Sequence, residues 1–471
     1  MNTINNSYME ENLFLYEDVI INTINKFNIN KNNIKSILKY FPKNILNNID
    51  FQNEKEKVLK KYVKILNKYD YIVIIAVGGS ILSIKAILSL IEEHNFYFDK
   101  VNFSKIILID NQDQIILHKT LLKIIEKDIA IITISKSNIS IEVFSMVNYI
   151  MNLYSDTNNL PLWIHIGQSS NENINQYIRK DHQEISSILE QNIISENKIS
   201  LDLNSTKNSV STVKEIFSLF NSKFCTIKLF PDEFIEYDET VTGRFSVFST
   251  PSLLIIMLLG YNTNEFYYGA QLAYNDFLTN YLKINNFIRD IAITITSLYH
   301  NLNNIYLSNN NSLYQFNIWK NILYIESLGK KEDLYISLNS LTINCFQHNY
   351  IEYFINSKNK TIIHIFISND IDDYDNINNN SKYIVNNQFF AKNQILKIQS
   401  VSIKTIIQTL KDNSCPYILS KIPINNLQSI GYNFAESIIK VFIIGYLLNI
   451  NIFEQNIIDF VKKEIFKKIL Y

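Results

Sequence analysis

Short apolar runs alternate with amphipathic stretches in the first third of the chain. Residues 71–76 form a continuous apolar run, and further runs predict strands at 105–110, 129–134 and 162–166. A strand that is apolar on both sides is buried on both faces, as in a parallel sheet. Helical spacing occupies the intervening stretches at 81–93, 114–126 and 140–154. The alternation predicts a doubly wound α/β domain over residues 69–167.

The rest of the chain repeats this pattern less regularly. Periodicity weakens over residues 168–224, where Asn and Ser accumulate, and this composition predicts an insert or mobile lobe. Residues 225–427 predict a second α/β domain, with strands at 225–229, 304–307, 361–367 and 416–419. The flanking segments, 1–68 and 428–471, are predicted to be helical, the first of them with loops.

Composition and charge narrow the classes of partner. Lys and Arg number 44 and Asp and Glu number 45, so the formal net charge is -1. A nucleic-acid-binding protein usually shows a basic excess, so we expect no nucleic-acid partner. Hydrophobic residues make up 47% of the chain, which is enough for a large core.

Neither a metal site nor a membrane segment is predicted. Cys225, Cys345 and Cys415 lie far apart and have no metal-ligand spacing, which suits a reducing compartment. Residues 1–18 lack the basic start and apolar run of a signal peptide. The longest apolar runs are shorter than the roughly 20 residues of a membrane span. We therefore expect a cytoplasmic protein without a membrane partner.

Two of the nine glycines lie together in Gly78-Gly79-Ser80, between a predicted strand and a predicted helix. A tight turn at a helix N-terminus presents backbone N–H groups to an anion, and Ser80 adds a hydroxyl. The turn has too few glycines for the G-x-G-x-x-G loop of dinucleotide-binding domains. It is either an ordinary strand-to-helix turn or part of an anion site.

A loop rich in hydroxyl groups follows the third predicted strand. It contains Ser135, Lys136, Ser137 and Ser140 directly before a predicted helix. Three hydroxyls and an ammonium suit a phosphate monoester, whereas the simpler interpretation is a polar loop in which Ser140 caps the helix. Both this loop and the glycine turn follow strands of one predicted sheet, at the end where ligands bind in open α/β domains. This placement favours an anion site.

Arginine is rare in this lysine-rich chain, yet Arg244 lies beside Gly243. A lysine would serve for a solvated charge, so the rigid guanidinium fork suggests a specific contact. Two interpretations stay open, a permanent charge near a reacting oxygen or a buried structural ion pair.

Three further positions carry acid–base or hydrogen-bonding groups. Glu326 ends a predicted apolar helix, where partial burial would suit a general base rather than a surface carboxylate. His348 could shuttle protons near neutral pH, although a lone histidine is more often structural. Gln455 and Lys462 are seven residues apart, so both can face the same way on a helix, although a solvated face would show the same spacing.

Taken in chain order, these motifs resemble those of the glucose-6-phosphate isomerase family, particularly its short bacterial form. The matching segments are Gly78-Gly79-Ser80, Ser135-Lys136-Ser137 with Ser140 and Glu142, Gly243-Arg244-Phe245-Ser246, Glu326 to Lys330, Gln347-His348, and Phe453-Glu454-Gln455 with Lys462. Each motif alone is weak, but six in the family's order are specific. The resemblance covers most of the chain apart from its first residues and the insert.

The sequence departs from the family pattern at five positions. Ala76 and Thr242 replace glycines, Asn456 replaces a frequent proline, and Val461 replaces a frequent glycine. Val143 replaces a threonine and removes one possible phosphate hydroxyl. These changes bear on affinity and rate more than on the type of reaction.

The resemblance implies an α/β fold with two tandem sugar-isomerase (SIS) domains, each a mainly parallel sheet flanked by helices, and a helical C-terminal tail. It implies reversible isomerisation of glucose 6-phosphate to fructose 6-phosphate, with no metal or organic cofactor. It also implies a homodimer with shared active sites, in which His348 reaches the site of the neighbouring subunit.

The resemblance also assigns roles to residues. The phosphate group would be bound by Gly79, Ser80, Ser135, Lys136, Ser137 and Ser140. His348 and Lys462 would open the sugar ring, and Gln455 would hold a sugar hydroxyl. Glu326 would move a proton between C2 and C1 through a cis-enediol(ate), and Arg244 would stabilise the enediolate oxygen.

Three alternatives remain open at the level of sequence. The first is another SIS-domain isomerase, such as a phosphomannose or dual-specificity enzyme. The second is a sugar-phosphate-binding regulator without turnover, which would need the two hydroxyl loops but would have no use for Arg244, Glu326, His348 and Lys462. The third is an enzyme weakened by sequence drift, with Val143 and the insert as signs.

Overall fold

The computed structural model describes residues 8–46, 49–96, 105–135, 140–155, 160–167, 231–237, 243–368 and 392–470. Lys136, Ser137, the predicted insert at 168–224 and the predicted strand at 225–229 lie outside the described residues. The described strands are β1 Tyr8–Asn12, β2 Tyr71–Ile75, β3 Ile106–Ile109, β4 Ile129–Ile134, β5 Leu162–Gly167, β6 Glu233–Glu236, β7 Asn303–Ser308, β8 Ser337–Thr342, β9 Thr361–Ile367 and β10 Tyr417–Lys421.

The described helices alternate with these strands and dominate the C-terminal region. They are α1 Glu17–Lys26, α2 Lys31–Leu38, α3 Ile49–Leu66, α4 Gly79–Phe96, α5 Gln114–Leu121, α6 Ile141–Leu153, α7 Thr250–Leu258, α8 Thr263–Thr279, α9 Tyr281–Tyr299, α10 Asn311–Leu328, α11 Ile343–Asn349, α12 Ile351–Asn356, α13 Lys392–Asp412, α14 Leu427–Leu447 and α15 Asn456–Leu470. Short 3₁₀ helices include Gly243–Phe248.

The chain forms two compact units that are discontinuous in sequence. The larger unit comprises Met1–Lys61, Gly78–Phe103 and Thr240–Tyr471, and the smaller unit comprises Tyr62–Val77 and Ser104–Glu239. The boundaries expected from the sequence are consecutive, because a periodicity pattern does not show which segments pack together. Those boundaries stay a prediction.

The smaller unit is built on a parallel sheet with strand order β3-β2-β4-β5-β6. All six residues of β4 are buried, as its continuous apolar sequence predicted. Its core joins strand and helix residues such as Val73, Trp163 and Met146. Counted within this sheet alone, the order is 2-1-3-4-5, which has its topological switch point between β2 and β4.

The larger unit contains a second sheet with strand order β1-β10-β9-β7-β8. The four strands β7 to β10 pair in parallel, and β1 pairs antiparallel with β10 at one edge. Its core includes Ile305, Ile363 and Leu419 from adjacent strands. Two mainly parallel sheets flanked by helices, with a helical C-terminal region, confirm the predicted fold class.

Helix α14 has the length and composition of a membrane span. Within the described residues it alone passes this test, with a mean hydropathy of 1.3 over its apolar window. The rest of the protein buries 83% of that window, so its apolar sequence is accounted for by packing in the core.

Candidate active site

Arg244 joins two of the predicted motifs in the larger unit. It lies in the 3₁₀ helix Gly243–Phe248, and its side chain has no exposed surface. Its Nε donates a hydrogen bond of 3.0 Å to the Ser327 hydroxyl, and its Nη1 lies 3.1 Å from Oε2 of Glu326. The guanidinium therefore holds the end of α10 through two consecutive residues.

The same guanidinium also holds a third motif, the segment that precedes α15. Its Nη2 donates to the backbone carbonyl of Ile452 and, at 3.5 Å, to that of Glu454. Phe453 lies between Ile452 and Glu454 in the chain. The centroid of its ring lies 5.3 Å from that of the Phe245 ring. Arg244 thus connects segments that are about two hundred residues apart in the chain.

The glycine turn packs against the backbone of this arginine. Gly78 has a φ of +68°, and a Cβ atom at Gly79 would lie 2.6 Å from the backbone nitrogen of Arg244. A Cβ at Gly243 would in turn lie 3.1 Å from the Ser80 hydroxyl. Glycine at 78 permits the turn, and glycine at 79 permits the close approach. Four of the six motifs therefore meet in the larger unit.

Burial and the ion pair set the electrostatics of this group. Burial lowers the pKa of Arg244 from its ordinary value, and the charge of Glu326 opposes that effect. The Glu326 side chain keeps 24% of its surface exposed, and its Oε1 makes no hydrogen bond within the described residues. One carboxylate oxygen is thus fixed by Arg244, and the other is free of hydrogen bonds to the described residues.

Lys330 contacts the same segment before α15, although no separate role was predicted for it from the sequence. Its Nζ donates to the carbonyl of Asn451 at 3.0 Å and to that of Glu454. Burial, followed by the nearby charge of Arg244, lowers the pKa of Lys330 to about 8. The sequence could have indicated Lys330, because it is the last residue of the motif that begins at Glu326.

Three predicted residues lie apart from these contacts. His348 is exposed on α11, Lys462 is exposed on α15, and Gln455 is partly buried directly before α15. Within the described part of the chain, none of the three side chains bonds to Arg244, Glu326 or each other. Their proposed roles stay predictions.

The hydroxyl loop belongs to the smaller unit. Ser135 directly follows β4, at the topological switch point of the parallel sheet. Ser140 caps α6, since its hydroxyl accepts a 3.4 Å hydrogen bond from the backbone N–H of Val143. The simpler interpretation of Ser140 is therefore confirmed, and phosphate binding by the loop stays a prediction.

Comparison with known proteins supports the resemblance. No family model matches the chain. A glucose-6-phosphate isomerase from Fusobacterium nucleatum is 28% identical over 249 residues, which are 50% of this chain and 52% of the relative. One from Clostridium tetani is 26% identical over 233 residues, which are 48% of this chain and 51% of the relative. The chain thus spans about half the length of the curated relatives it matches.

Solved structures extend the similarity of fold to most of the chain. A hypothetical protein from Thermus thermophilus matches with a TM-score of 0.67 and 12% identity, covering 98% of this chain and 99% of that one. A glucose-6-phosphate isomerase from Chlamydia trachomatis matches with a TM-score of 0.61 and 13% identity, covering 88% of this chain and 73% of that one. The protein therefore resembles glucose-6-phosphate isomerases in sequence over half its length and shares their fold.

Proposed function

We propose that the protein is a sugar-phosphate isomerase that interconverts glucose 6-phosphate and fructose 6-phosphate. The observation that carries the proposal is the ion pair between Arg244 and Glu326. Arg244 also donates a hydrogen bond to the segment directly before Gln455. Conversion of fructose 6-phosphate by the purified chain tests the proposal. A protein that only binds sugar phosphates would not need a partly exposed carboxylate, Glu326, held beside the permanent charge of Arg244.

Glu326 acts as the base in this proposal. Its free Oε1 takes the proton from C2 of the open-chain aldose, and electrons move to the carbonyl oxygen at C1 to give a cis-enediol(ate). The C2 hydroxyl gives its proton to the oxygen on C1, and the same carboxyl returns its proton to C1 while the C2 oxygen becomes the carbonyl. The sugar keeps all its atoms and electrons, so this step requires no external oxidant or reductant.

Arg244 supports this transfer from behind the carboxylate. When Glu326 takes the proton, negative charge moves from the carboxylate to the sugar oxygen, while the guanidinium stays in place. A fixed cation stabilises such a charge at low reorganisation cost. Because the Arg244 side chain is fully covered, its first task is to orient Glu326. In this proposal, Arg244 has both a structural and a functional role.

The remaining roles follow the resemblance. The loop 135–140 binds the phosphate, which is remote from the reacting carbons and can supply energy for orientation. His348 and Lys462 transfer the protons that open the ring, and Gln455 holds a sugar hydroxyl. His348 is exposed and does not contact Glu326 within the described residues, which is compatible with its acting in a neighbouring subunit.

Removing hydroxyls from the phosphate loop should weaken substrate binding. We expect the double substitution Ser135→Ala and Ser137→Ala to raise KM for fructose 6-phosphate by about a hundredfold or more, because each of the two lost hydrogen bonds to a charged group contributes roughly 1.5–3 kcal/mol. The control is Ser145→Ala on α6, whose hydroxyl bonds to the Glu142 carbonyl at 2.8 Å. Unchanged KM and unchanged inhibition by inorganic phosphate would place the phosphate elsewhere.

A shared site should permit complementation between two inactive variants. Glu326→Gln and His348→Ala homodimers, unfolded and refolded together, should regain activity because a mixed dimer has one intact site. With random pairing, recovery should approach about a quarter of the wild-type activity. Sedimentation and mass spectrometry would verify the mixed dimers. If verified mixed dimers were inactive, the shared-site model would be wrong, although the isomerase proposal could stand.

A further inference from the structure

The larger unit contains a cavity that the proposed reaction does not use. It has a volume of about 80 Å³ and lies between α9, α10 and α14 and the strands β7, β9 and β10. Its lining includes none of Arg244, Glu326, His348, Gln455 or Lys462. A cavity of this size holds several water molecules or one small organic molecule, since one water requires roughly 10–15 Å³.

Lys320 projects its ammonium group among aromatic rings of this cavity. Its Nζ lies 4.9 Å from the ring centroid of Phe366, 5.1 Å from that of Tyr306 and 5.8 Å from that of Tyr324. Within the described residues, it makes no hydrogen bond or ion pair with a carboxylate. Aromatic faces attract a cation, but this attraction is weaker than the hydration that the ammonium group loses on burial.

The second lysine of the cavity has the opposite environment. The Nζ of Lys440 donates to both Asp290 and Glu436, so the two carboxylates of the cavity are already engaged. Lys440 is therefore a structural cation. Lys320 is the lysine whose amine is left without an acceptor among the described residues of the cavity.

The electrostatics of the cavity shift Lys320 toward its neutral form relative to an exposed lysine. Burial and, after it, the charge of Lys440 together lower the pKa of Lys320 to about 8, while Asp290 and Glu436 oppose the shift. The other titratable groups that line the cavity are Tyr306, Tyr324, His364 and Lys421. Burial also lowers the pKa of His364 to about 3, so this histidine is neutral and adds no charge.

We propose that Lys320 is a nucleophilic amine that forms an imine with small aldehydes or ketones entering the cavity. An amine that is removed from water among aromatic rings and lies beside another cation is activated for attack on a carbonyl carbon. The nitrogen lone pair forms the new C–N bond, and the carbonyl π electrons move to oxygen. Both protons of the amine pass to that oxygen, which leaves as water while the C=N bond forms, so the step is a condensation without redox change.

The lining limits the class of carbonyl compound. The volume admits a compound of roughly two or three carbons, and the rings of Tyr306 and Tyr324 form part of the lining that this compound would contact. Lys440 is already paired with Asp290 and Glu436, so it is not available to bind an anionic group. The proposal therefore does not require such a group on the compound. This inference is independent of the proposed isomerase activity, because it involves none of the residues assigned to that reaction.

Reductive trapping tests the proposal on the intact wild-type protein. Glycolaldehyde with sodium cyanoborohydride converts an imine to a stable secondary amine, and peptide mass spectrometry locates the modified lysines. At pH 7, we expect Lys320 to be labelled at least about tenfold faster than the exposed Lys39 and Lys123, since an amine of ordinary pKa near 10.4 is almost fully protonated there. The rate at Lys320 should rise through a midpoint near pH 8.

Two outcomes would overturn the proposal. One is labelling of Lys320 no faster than that of Lys123, and the other is a rate that rises only at the pH of ordinary lysines. In a Lys320→Arg variant with a wild-type melting temperature, the fast phase of labelling should be lost, because a guanidinium does not form the imine. A fast phase that persisted would assign the reactive amine to another residue. If the variant does not fold, the peptide map of the wild type still decides the question.

Discussion

Replacing Glu326 by Gln should lower kcat for fructose 6-phosphate by about 10²–10⁴-fold, the range typical of a lost general base. The amide keeps the shape of the side chain and can still accept a hydrogen bond from Arg244, but it cannot take the proton from carbon. Binding of sugar phosphate should therefore change little, so the loss appears in kcat rather than KM. Steady-state kinetics and calorimetric titration with substrate separate the two.

The matched control for this substitution is Glu332→Gln. Glu332 is exposed and lies six residues beyond Glu326 in the same region of the chain. It should keep the wild-type kcat, because it carries no assigned role. If the Glu326→Gln variant retained most of the wild-type turnover, Glu326 would not be the base.

Replacing Arg244 by Lys should lower both stability and turnover. A single ammonium cannot replace the guanidinium fork that reaches Ser327, Glu326 and two backbone carbonyls at once. Breaking a buried ion pair costs roughly 3–5 kcal/mol, and part of Glu326 is exposed, so we expect the lower end of that range. Loss of a preorganised cation should reduce kcat by about 10²–10³-fold in the protein that remains folded.

Arg289→Lys separates the two effects. Arg289 also forms a multiple ion pair, with Glu11 at 2.6 Å and Glu17 at 2.8 Å, but a quarter of its side chain is exposed. This substitution should cost some stability and leave kcat unchanged. Thermal unfolding gives the stability of each variant. The kcat of each is measured at a temperature below the unfolding midpoints of both variants. A folded Arg244→Lys variant with wild-type kcat would leave Arg244 with a structural role alone.

The central strands of both sheets were predictable, whereas the edge strands β1 and β8 were not. Strand β9 was expected at 361–367 and is observed at Thr361–Ile367, because burial on both faces requires a continuous apolar run. Strand β1, in the segment expected to contain helices and loops, has the sequence YMEEN, and β8 has the sequence SLNSLT. Each lies at an edge of its sheet, so neither needs an apolar sequence on both faces.

The candidate site was predictable as a set of motifs but not as a network. Arg244 and the glycine pair at 78–79 could be singled out because arginine and glycine are rare in this chain. In the structure, the backbone of Gly79 packs against that of Arg244. The contacts of Arg244 with the carbonyls of Ile452 and Glu454 had no sequence signal, because every residue has a carbonyl. The proposed action of His348 in a neighbouring chain likewise depends on assembly, which a single sequence does not encode locally.

The most direct test of the central claim is a coupled assay of the purified protein with fructose 6-phosphate. Glucose 6-phosphate dehydrogenase reports formation of glucose 6-phosphate through reduction of NADP, and the Glu326→Gln variant prepared in parallel controls for contaminating isomerase. We predict turnover by the wild type that the variant lacks. A wild-type preparation that binds fructose 6-phosphate without converting it would contradict the account and identify a binding protein. Equal activity of wild type and variant would mean that the turnover is not catalysed by this site.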